Sequence, residues 1–293
     1  MLFQENNNQF YKKKSSIQLN GKLINLAKPT VMGILNVTPD SFYDGGAYSN
    51  EKSILERATQ IFEEGGQFID IGAMSTRPGA LEISIEEELK RLLPAVKAVR
   101  KELPDASISI DSYRSEVLKV VFDEIGGFIV NDISGGTFDP KMFEIVADLQ
   151  LPYILMHTKG KSNTMQNDPV YLDVVKDIIL FLSTQLQKLK LLGVCDILID
   201  PGFGFGKTAA HNYELLNRLD AFKIFELPVL AGLSRKAMIW RELGITPLES
   251  LNGTTVLNTL ALSGGCDILR VHDVKEAVEA IRLVNKTKCT SND

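Results

Sequence analysis

"SISIDSYRSEVLKVVFDEIGGFIVNDIS", residues 107–134, reads as a strand, a longer helix-compatible segment and a second strand. Both strands are short β-branched runs, "SISIDS" from 107 and "FIVNDIS" from 128, and each closes on polar groups, Asp111 and Asn131. Buried parallel strands read as near-continuous apolar runs, and a right-handed crossover of this length favours a parallel sheet. Outward from this unit the pattern repeats. "VMGILNV" from 31 and "FIDIGA" from 68 precede it; "PYILMH" from 152, "ILIDPG" from 197, "PVLAGLS" from 228 and "CDILRVHD" from 266 follow. Between them lie segments such as "SIEEELKRLLPAVKAVRKEL" and "VVKDIILFLSTQLQKLKLLGV", where apolar residues recur at three and four, the period of an amphipathic helix. Eight strand-then-helix units close most simply into a single (β/α)8 TIM barrel of class α/β. An open, doubly wound sheet is the alternative topology.

The position of the polar residues favours the barrel. Asn36, Asp111, Asn131, His157, Asp200, Ser234 and His272 each stand at or beside the C-terminal end of an expected strand. In a barrel those ends converge on one mouth, where active sites are built. A strand-ending turn accounts for any one of them; it does not account for seven strands out of eight.

The chain has 293 residues, 44% hydrophobic and 24% charged, and a net charge of -5. This is an ordinary globular composition, with no electrostatic reason for nucleic acid or an anionic membrane as partner, so small molecules are the expected ligands. Cys195, Cys266 and Cys289 are too few and too scattered for a disulfide framework or a thiolate metal site, which suits a reducing compartment. "MLFQENNNQFYKKKSS" lacks a signal-peptide core, and no stretch approaches the ~20 apolar residues of a spanning helix, so the expected location is the cytoplasm. In "SIQLNGKLINL", Asn20-Gly21 between two alternating runs signals a tight β-hairpin. The expected organisation is a polar tail and hairpin over 1–30, the barrel over 31–288 and a short tail over 289–293.

Several familiar motifs fail. "DPGFGFGKT", residues 200–208, lacks the first glycine of a P-loop, because Pro201 stands there, and the third glycine of a dinucleotide loop falls on Lys207. Its glycines read as a flexible loop over the mouth, with Asp200 as the chemically active member. Neither G-x-S-x-G nor H-E-x-x-H occurs. Arg235 and Lys236 after the seventh strand, with Arg270 and His272 on the eighth, fall where barrels commonly bind phosphate. Arg270 lies inside a buried strand, which rarely carries an unpaired guanidinium. Asp111, Asn131 and Asp200 offer carboxylate and amide edges that suit a planar heterocycle with amino, ring N–H and carbonyl groups, or equally the hard-oxygen coordination of magnesium.

Together, "GILNVTPDSFYDGG", "DIGAMSTRPGA", "ISIDS", "VNDISGG", "MHTKG" with "TMQ", "DPGFGFGK", "GLSRK" and "RVHDV" resemble, in order and over about residues 31–275, the dihydropteroate synthase family. The resemblance implies a barrel that condenses 6-hydroxymethyl-7,8-dihydropterin pyrophosphate with 4-aminobenzoate, giving 7,8-dihydropteroate and pyrophosphate for folate synthesis. It implies that Asp111, Asn131, Asp200 and Lys236 hold the pterin, with Met156 lining the pocket and Arg270 against the ring face. Thr76 would contact the pyrophosphate substrate, Asn36 would ligate the bound Mg2+, and Arg270 with His272 would complete the anion site. Asp44 and Arg77 would come from two loops closing over the reacting centre, Phe205 would border the aminobenzoate pocket, and the assembly would be a homodimer through the last helices. "NVTPDSFYDGG" then reads as a catalytic loop, with Asn36 at the strand end and Asp44 on a Gly-hinged flap. Two positions depart from the family pattern. Ala73-Met74 replaces Gly-Glu, and Ala237 replaces a serine whose hydroxyl meets the aminobenzoate carboxylate, leaving a backbone N–H as the substitute. A corrinoid methyltransferase would share the pterin set but lack the "TPDSFYDGG" and "STRPG" loops. A non-catalytic pterin-binding protein would be expected to have lost Asn36, Asp44, Arg77 or Lys236. An unrelated phosphate-binding barrel isomerase would leave both loops without a role.

Overall fold

Runs of β-branched and aromatic residues bounded by Gly, Pro and polar groups form the strands, and the amphipathic segments between them form the helices. The structure, a computed structural model, describes residues 13–38, 47–74, 82–160 and 169–289. An antiparallel hairpin, β1 (Ser16–Leu19) and β2 (Lys22–Asn25), precedes the parallel strands β3 (Thr30–Asn36), β4 (Phe68–Gly72), β5 (Ser107–Asp111), β6 (Ile129–Asp132), β7 (Tyr153–Met156), β8 (Ile197–Asp200), β9 (Leu230–Ala231) and β10 (Ile268–Val271). The helices between and after them are α1 (Ala47–Glu63), α2 (Ile85–Glu102), α3 (Ser115–Ile125), α4 (Met142–Asp148), α5 (Val174–Leu191), α6 (Ala209–Asn217), α7 (Ala237–Leu243), α8 (Leu251–Gly264) and α9 (Val274–Cys289). The first barrel strand starts at Thr30 and the last helix ends at Cys289, each one residue outside the expected span.

The parallel strands pair in the order β8-β7-β6-β5-β4-β3-β10-β9. A parallel bridge between Ile199 and Val229, with Ile199 N–H donating to Pro228 O at 3.0 Å, brings the two ends of that sheet together. This decides for the (β/α)8 barrel over the open sheet.

Local signals start and sustain the helices. Ser84 Oγ accepts from Glu87 N at the head of α2, whose first turn carries Glu86, Glu87 and Glu88 against the positive end of the helix dipole. Pro94 sits inside α2 on its exposed side, where water can satisfy the carbonyl its missing N–H leaves over. Asp173 caps α5 by accepting from Val175 N and Lys176 N, and Thr208 forms a capping box with His211 at α6.

Alternation along the strands creates two cores. One face packs outward against the helices, through residues such as Leu35, Ile71, Ile110, Val130, Leu155 and Ile199. The other packs inside the barrel, where Met32, Phe68, Ile129, Ile154, Leu198, Leu230 and Ile268 form a layer with Ile17, Leu19, Ile24 and Leu26 of the hairpin. The hairpin therefore stoppers the N-terminal end of the barrel. Its turn places Asn20 at φ 50 and Gly21 at φ 74, the left-handed pair a tight type I′ connection requires. A free two-stranded hairpin is marginal in water, but burial of each of those four side chains contributes about 1.5–3 kcal/mol. Polar ties add to this: Lys13 Nζ reaches Asp267 at 2.5 Å, and Asn20 Nδ2 donates to Gly127 O at 2.9 Å.

Candidate active site

Successive inward positions on a strand are two residues apart. Two residues beyond the apolar interior layer they become Ile34, Asp70, Asn131, Met156, Asp200 and Arg270, with Ser109 and then Asp111 on β5, and Asn36 and His272 farther along β3 and β10. The register sets Asp111 beside Asn131 and Met156 beside Asp200. Their convergence at the C-terminal mouth follows from the period-two pleat combined with closure.

The centre of the cluster is Arg270. Its Nε donates to Asp70 Oδ2 at 2.7 Å, and one terminal nitrogen donates to Asp111 Oδ2, also at 2.7 Å. Asn131 Nδ2 donates to the same Asp70 oxygen at 3.0 Å. Burial penalises the guanidinium's charge, but Asp70 and Asp111 outweigh it and hold Arg270 above its ordinary value. Asp111 is pushed up to about 7, chiefly by burial and further by the carboxylates of Asp70, Glu88 and Asp132, against the lowering influence of Arg270. The guanidinium in a buried strand is thus a paired one, with two carboxylates matching its charge.

Opposite it, Asp200 Oδ1 accepts from Gly202 N at 2.7 Å and opens the 201–207 loop. The flexible loop expected from its glycines is instead tied down. Lys207, 2% exposed, donates to Gly202 O at 2.7 Å and Phe205 O at 3.0 Å and meets His157 Nδ1 at 3.0 Å. Gly202 at φ 74 lies so close to the β7 end that a Cβ would stand 1.9 Å from His157 O, so glycine serves close approach here rather than mobility. Burial, then the Lys207 charge, hold His157 down to about 2, so it presents a neutral acceptor to that lysine.

Lys236 donates to Phe203 O of the same loop and stands 4.8 Å from the centre of the Phe205 ring. Burial lowers it to about 8 despite the Asp200 charge, leaving an ammonium that gives up a proton more readily than an exposed lysine. Arg235, the residue before it, has φ 55, an uncommon backbone for a side chain with a Cβ. Its N–H donates to Thr254 Oγ1 at 3.1 Å and its guanidinium pairs with Asp273 at 3.0 and 2.6 Å, which holds the turn.

Of the four cations expected here, Arg235 is therefore neutralised by Asp273. His272 is held down to about 4 by burial, and then by Arg270 and Arg235, so it is a neutral hydrogen-bonding group at pH 7. Its Nδ1 lies 3.0 Å from Ser234 Oγ, and Arg57 donates to its carbonyl. Asn36 is half-buried at the end of β3, and Met156 is buried. Asp44, Thr76 and Arg77 lie outside the described residues. Among the described residues no three His, Cys, Asp or Glu side chains are grouped to hold a metal, and no helix is long and apolar enough to cross a membrane.

Two buried residues went unread in the sequence. Asp70 was visible as a carboxylate inside the apolar run "FIDIG", in phase with inward-facing Phe68. Lys207 carried no comparable signal, since its burial depends on the fold of its loop.

The pterin binding enzyme family matches residues 32–272. Dihydropteroate synthase of Escherichia coli K12 is 43% identical over 269 residues, covering 91% of this chain and 94% of that protein. The Yersinia pestis dihydropteroate synthase solved with a sulfonamide drug complex superposes with a TM-score of 0.87 at 40% identity, covering 94% of this chain and 99% of that one. The Xanthomonas albilineans enzyme solved with 4-aminobenzoic acid gives 0.86 at 36% identity over 94% and 98%.

Proposed function

This chain belongs to the pterin-binding enzyme family and, within it, to the dihydropteroate synthases, and on that footing we propose how its barrel mouth joins 6-hydroxymethyl-7,8-dihydropterin pyrophosphate to 4-aminobenzoate. The observation that carries the reading is the convergence of Asp111, Asn131, Asp200 and Lys236 on one mouth, three of them 9% exposed or less. A pterin edge presents amino and ring N–H donors beside a carbonyl acceptor. The carboxylates of Asp111 and Asp200 and the Asn131 carboxamide accept from those donors, and the Lys236 ammonium donates to the carbonyl. Met156 lines the pocket, the Arg270 guanidinium lies against the ring, and Phe205 borders the aminobenzoate.

The reaction breaks the C–O bond between the pterin methylene and pyrophosphate, whose oxygen leaves with the electron pair, and forms a C–N bond to the arylamine, which then loses a proton. The amine is neutral at pH 7, so a strong base is unnecessary. Stabilising the departing anion is the larger demand. His272 and Arg270 face that end of the substrate, and Thr76, Arg77 and Asp44 act there by family resemblance.

Asn36 suits Mg2+, because its carboxamide oxygen is a hard donor at the half-buried end of β3, and magnesium commonly takes few protein ligands and completes its shell with water and substrate phosphate. Bound there, it would neutralise pyrophosphate charge. Val256 and Leu260 on α8 and Leu283 on α9 are exposed on two mutually packed helices, which supports a homodimer through that face. Free thiols at Cys195 and Cys266 suit the cytoplasm.

The test is product formation from both substrates, with and without magnesium, following dihydropteroate and pyrophosphate together. Equal, magnesium-dependent appearance of both is expected. A folded chain that binds pterin and releases neither product defeats the catalytic reading, and full turnover in metal-free buffer defeats the Asn36 assignment.

A further inference from the structure

Asp70 is fully buried on β4, yet it reaches across the barrel to two residues that are 61 and 200 positions away in the chain. One oxygen, Oδ2, takes both bonds, from Asn131 Nδ2 at 3.0 Å and Arg270 Nε at 2.7 Å. The other, Oδ1, is buried and has no hydrogen-bond partner among the described residues. A carboxylate with half its acceptors unmet is a poor device for stability, since an unsatisfied buried acceptor keeps its desolvation cost. Its geometry serves the two partners instead. By receiving the Asn131 NH2 group, Asp70 decides which end of that carboxamide is left for a ligand, and it leaves the oxygen. By holding Arg270 at Nε, it sets the guanidinium so that a terminal nitrogen meets Asp111 Oδ2 at 2.7 Å, leaving the second Asp111 oxygen without a hydrogen bond to any side chain among the described residues. Two hydrogen-bond acceptors are thereby fixed in place by a residue that is itself fully buried.

We infer that Asp70 is a positioning residue for pterin recognition, fixing Asn131 and, through Arg270, Asp111 as acceptors for the ring's amino and N–H groups. The inference rests on the pterin pocket described under Proposed function. It separates Asp70 from a plain buried ion pair, which would matter for folding and for both substrates alike.

The experiment measures the Kd of 6-hydroxymethylpterin by calorimetry, the KM of each substrate and the Tm, in the full chain and in Asp70→Ala, Asp70→Asn, Asn131→Ala and Asp111→Ala. Expected for Asp70→Ala is pterin binding weakened about tenfold or more, the size of a lost charged hydrogen bond, with the 4-aminobenzoate KM within about twofold. Asp70→Asn keeps an acceptor oxygen and recovers most of the affinity. Native pterin affinity in Asp70→Ala, while Asn131→Ala and Asp111→Ala bind weakly, overturns the inference and leaves the pocket standing. Native affinity in all three alanine variants overturns the pocket as well. A parallel rise in both KM values with a falling Tm makes Asp70 structural and also overturns the inference. Should Asp70→Ala fail to fold, Asp70→Ser, too short to reach both partners, is read by the same criteria.

Discussion

At the N-terminal end of the barrel, Met32, Phe68, Ile129, Ile154, Leu198, Leu230 and Ile268 meet four hairpin side chains in an apolar cluster. Two residues farther along the same strands, the interior holds Asp70, Asn131, Asp200 and Arg270, and with them a buried Asp70 oxygen without a hydrogen-bond partner among the described residues. The strands are continuous and both layers are largely buried; the difference lies in what burial does. In the apolar layer every removed square ångström of surface favours folding. In the polar layer burial costs free energy unless each group finds a partner, and it changes proton affinities: Asp111 rises to about 7 and Lys236 falls to about 8. The contrast assigns stability to one end and chemistry to the other, and it can be broken at either.

The largest effect is expected at the mouth. Lys236→Ala reduces turnover about a hundredfold or more, the scale of a lost charge-stabilising donor, while far-UV circular dichroism and the melting transition remain native-like. Near-normal turnover would remove Lys236 from the reaction. Next comes the opposite end: Ile17→Ala, at a fully buried hairpin position, destabilises by about 2–5 kcal/mol in urea titration and leaves kcat/KM unchanged in the native baseline. Loss of activity without loss of stability would show that the two ends are coupled.

A smaller effect sharpens the comparison through pH. Because the folded-state affinity of Asp111 for its proton is raised, the folded chain binds more protons than the unfolded chain between about 4 and about 7. Its contribution to stability is therefore present at low pH and lost as pH rises through about 7. Activity runs the other way, since the ionised carboxylate accepts the pterin donors, so kcat/KM falls as pH drops below about 7. A flat pterin affinity from pH 5.5 to 8, measured by calorimetry, would contradict that assignment. Smallest of all is Lys22→Ala, which removes the exposed pair with Asp105, 2.9 Å apart. The urea midpoint is expected to stay within error, and a clear shift would mean that the hairpin depends on its charges as well as its apolar side.

Much of this was legible along the chain. "FIVNDIS" and "ILIDPG" give both strand and site, because the pleat that turns Ile129 and Leu198 into the barrel also turns Asn131 and Asp200 inward two residues later. The hairpin was legible from Asn20-Gly21, where backbone chemistry is local. The loop after Asp200 reads as flexible from its glycines, but Gly202 packs against His157 and Lys207 and Gly206 against Lys159, contacts that only the folded chain brings together. His272 was read as part of a cationic site, and its loss of charge comes from burial beside Arg270 and Arg235.

By itself, then, the sequence determined the repeating strand–helix order, the polar strand ends and the family, because periodicity, turn chemistry and ordered motifs are properties of neighbouring residues. Tertiary structure alone decided that the sheet closes through Ile199 and Val229, that Arg270 belongs to Asp70 and Asp111, and that Lys236 is seated on the 201–207 loop. Partners separated by up to 200 positions meet only after the chain has closed, and proton affinities depend on the water that closure removes.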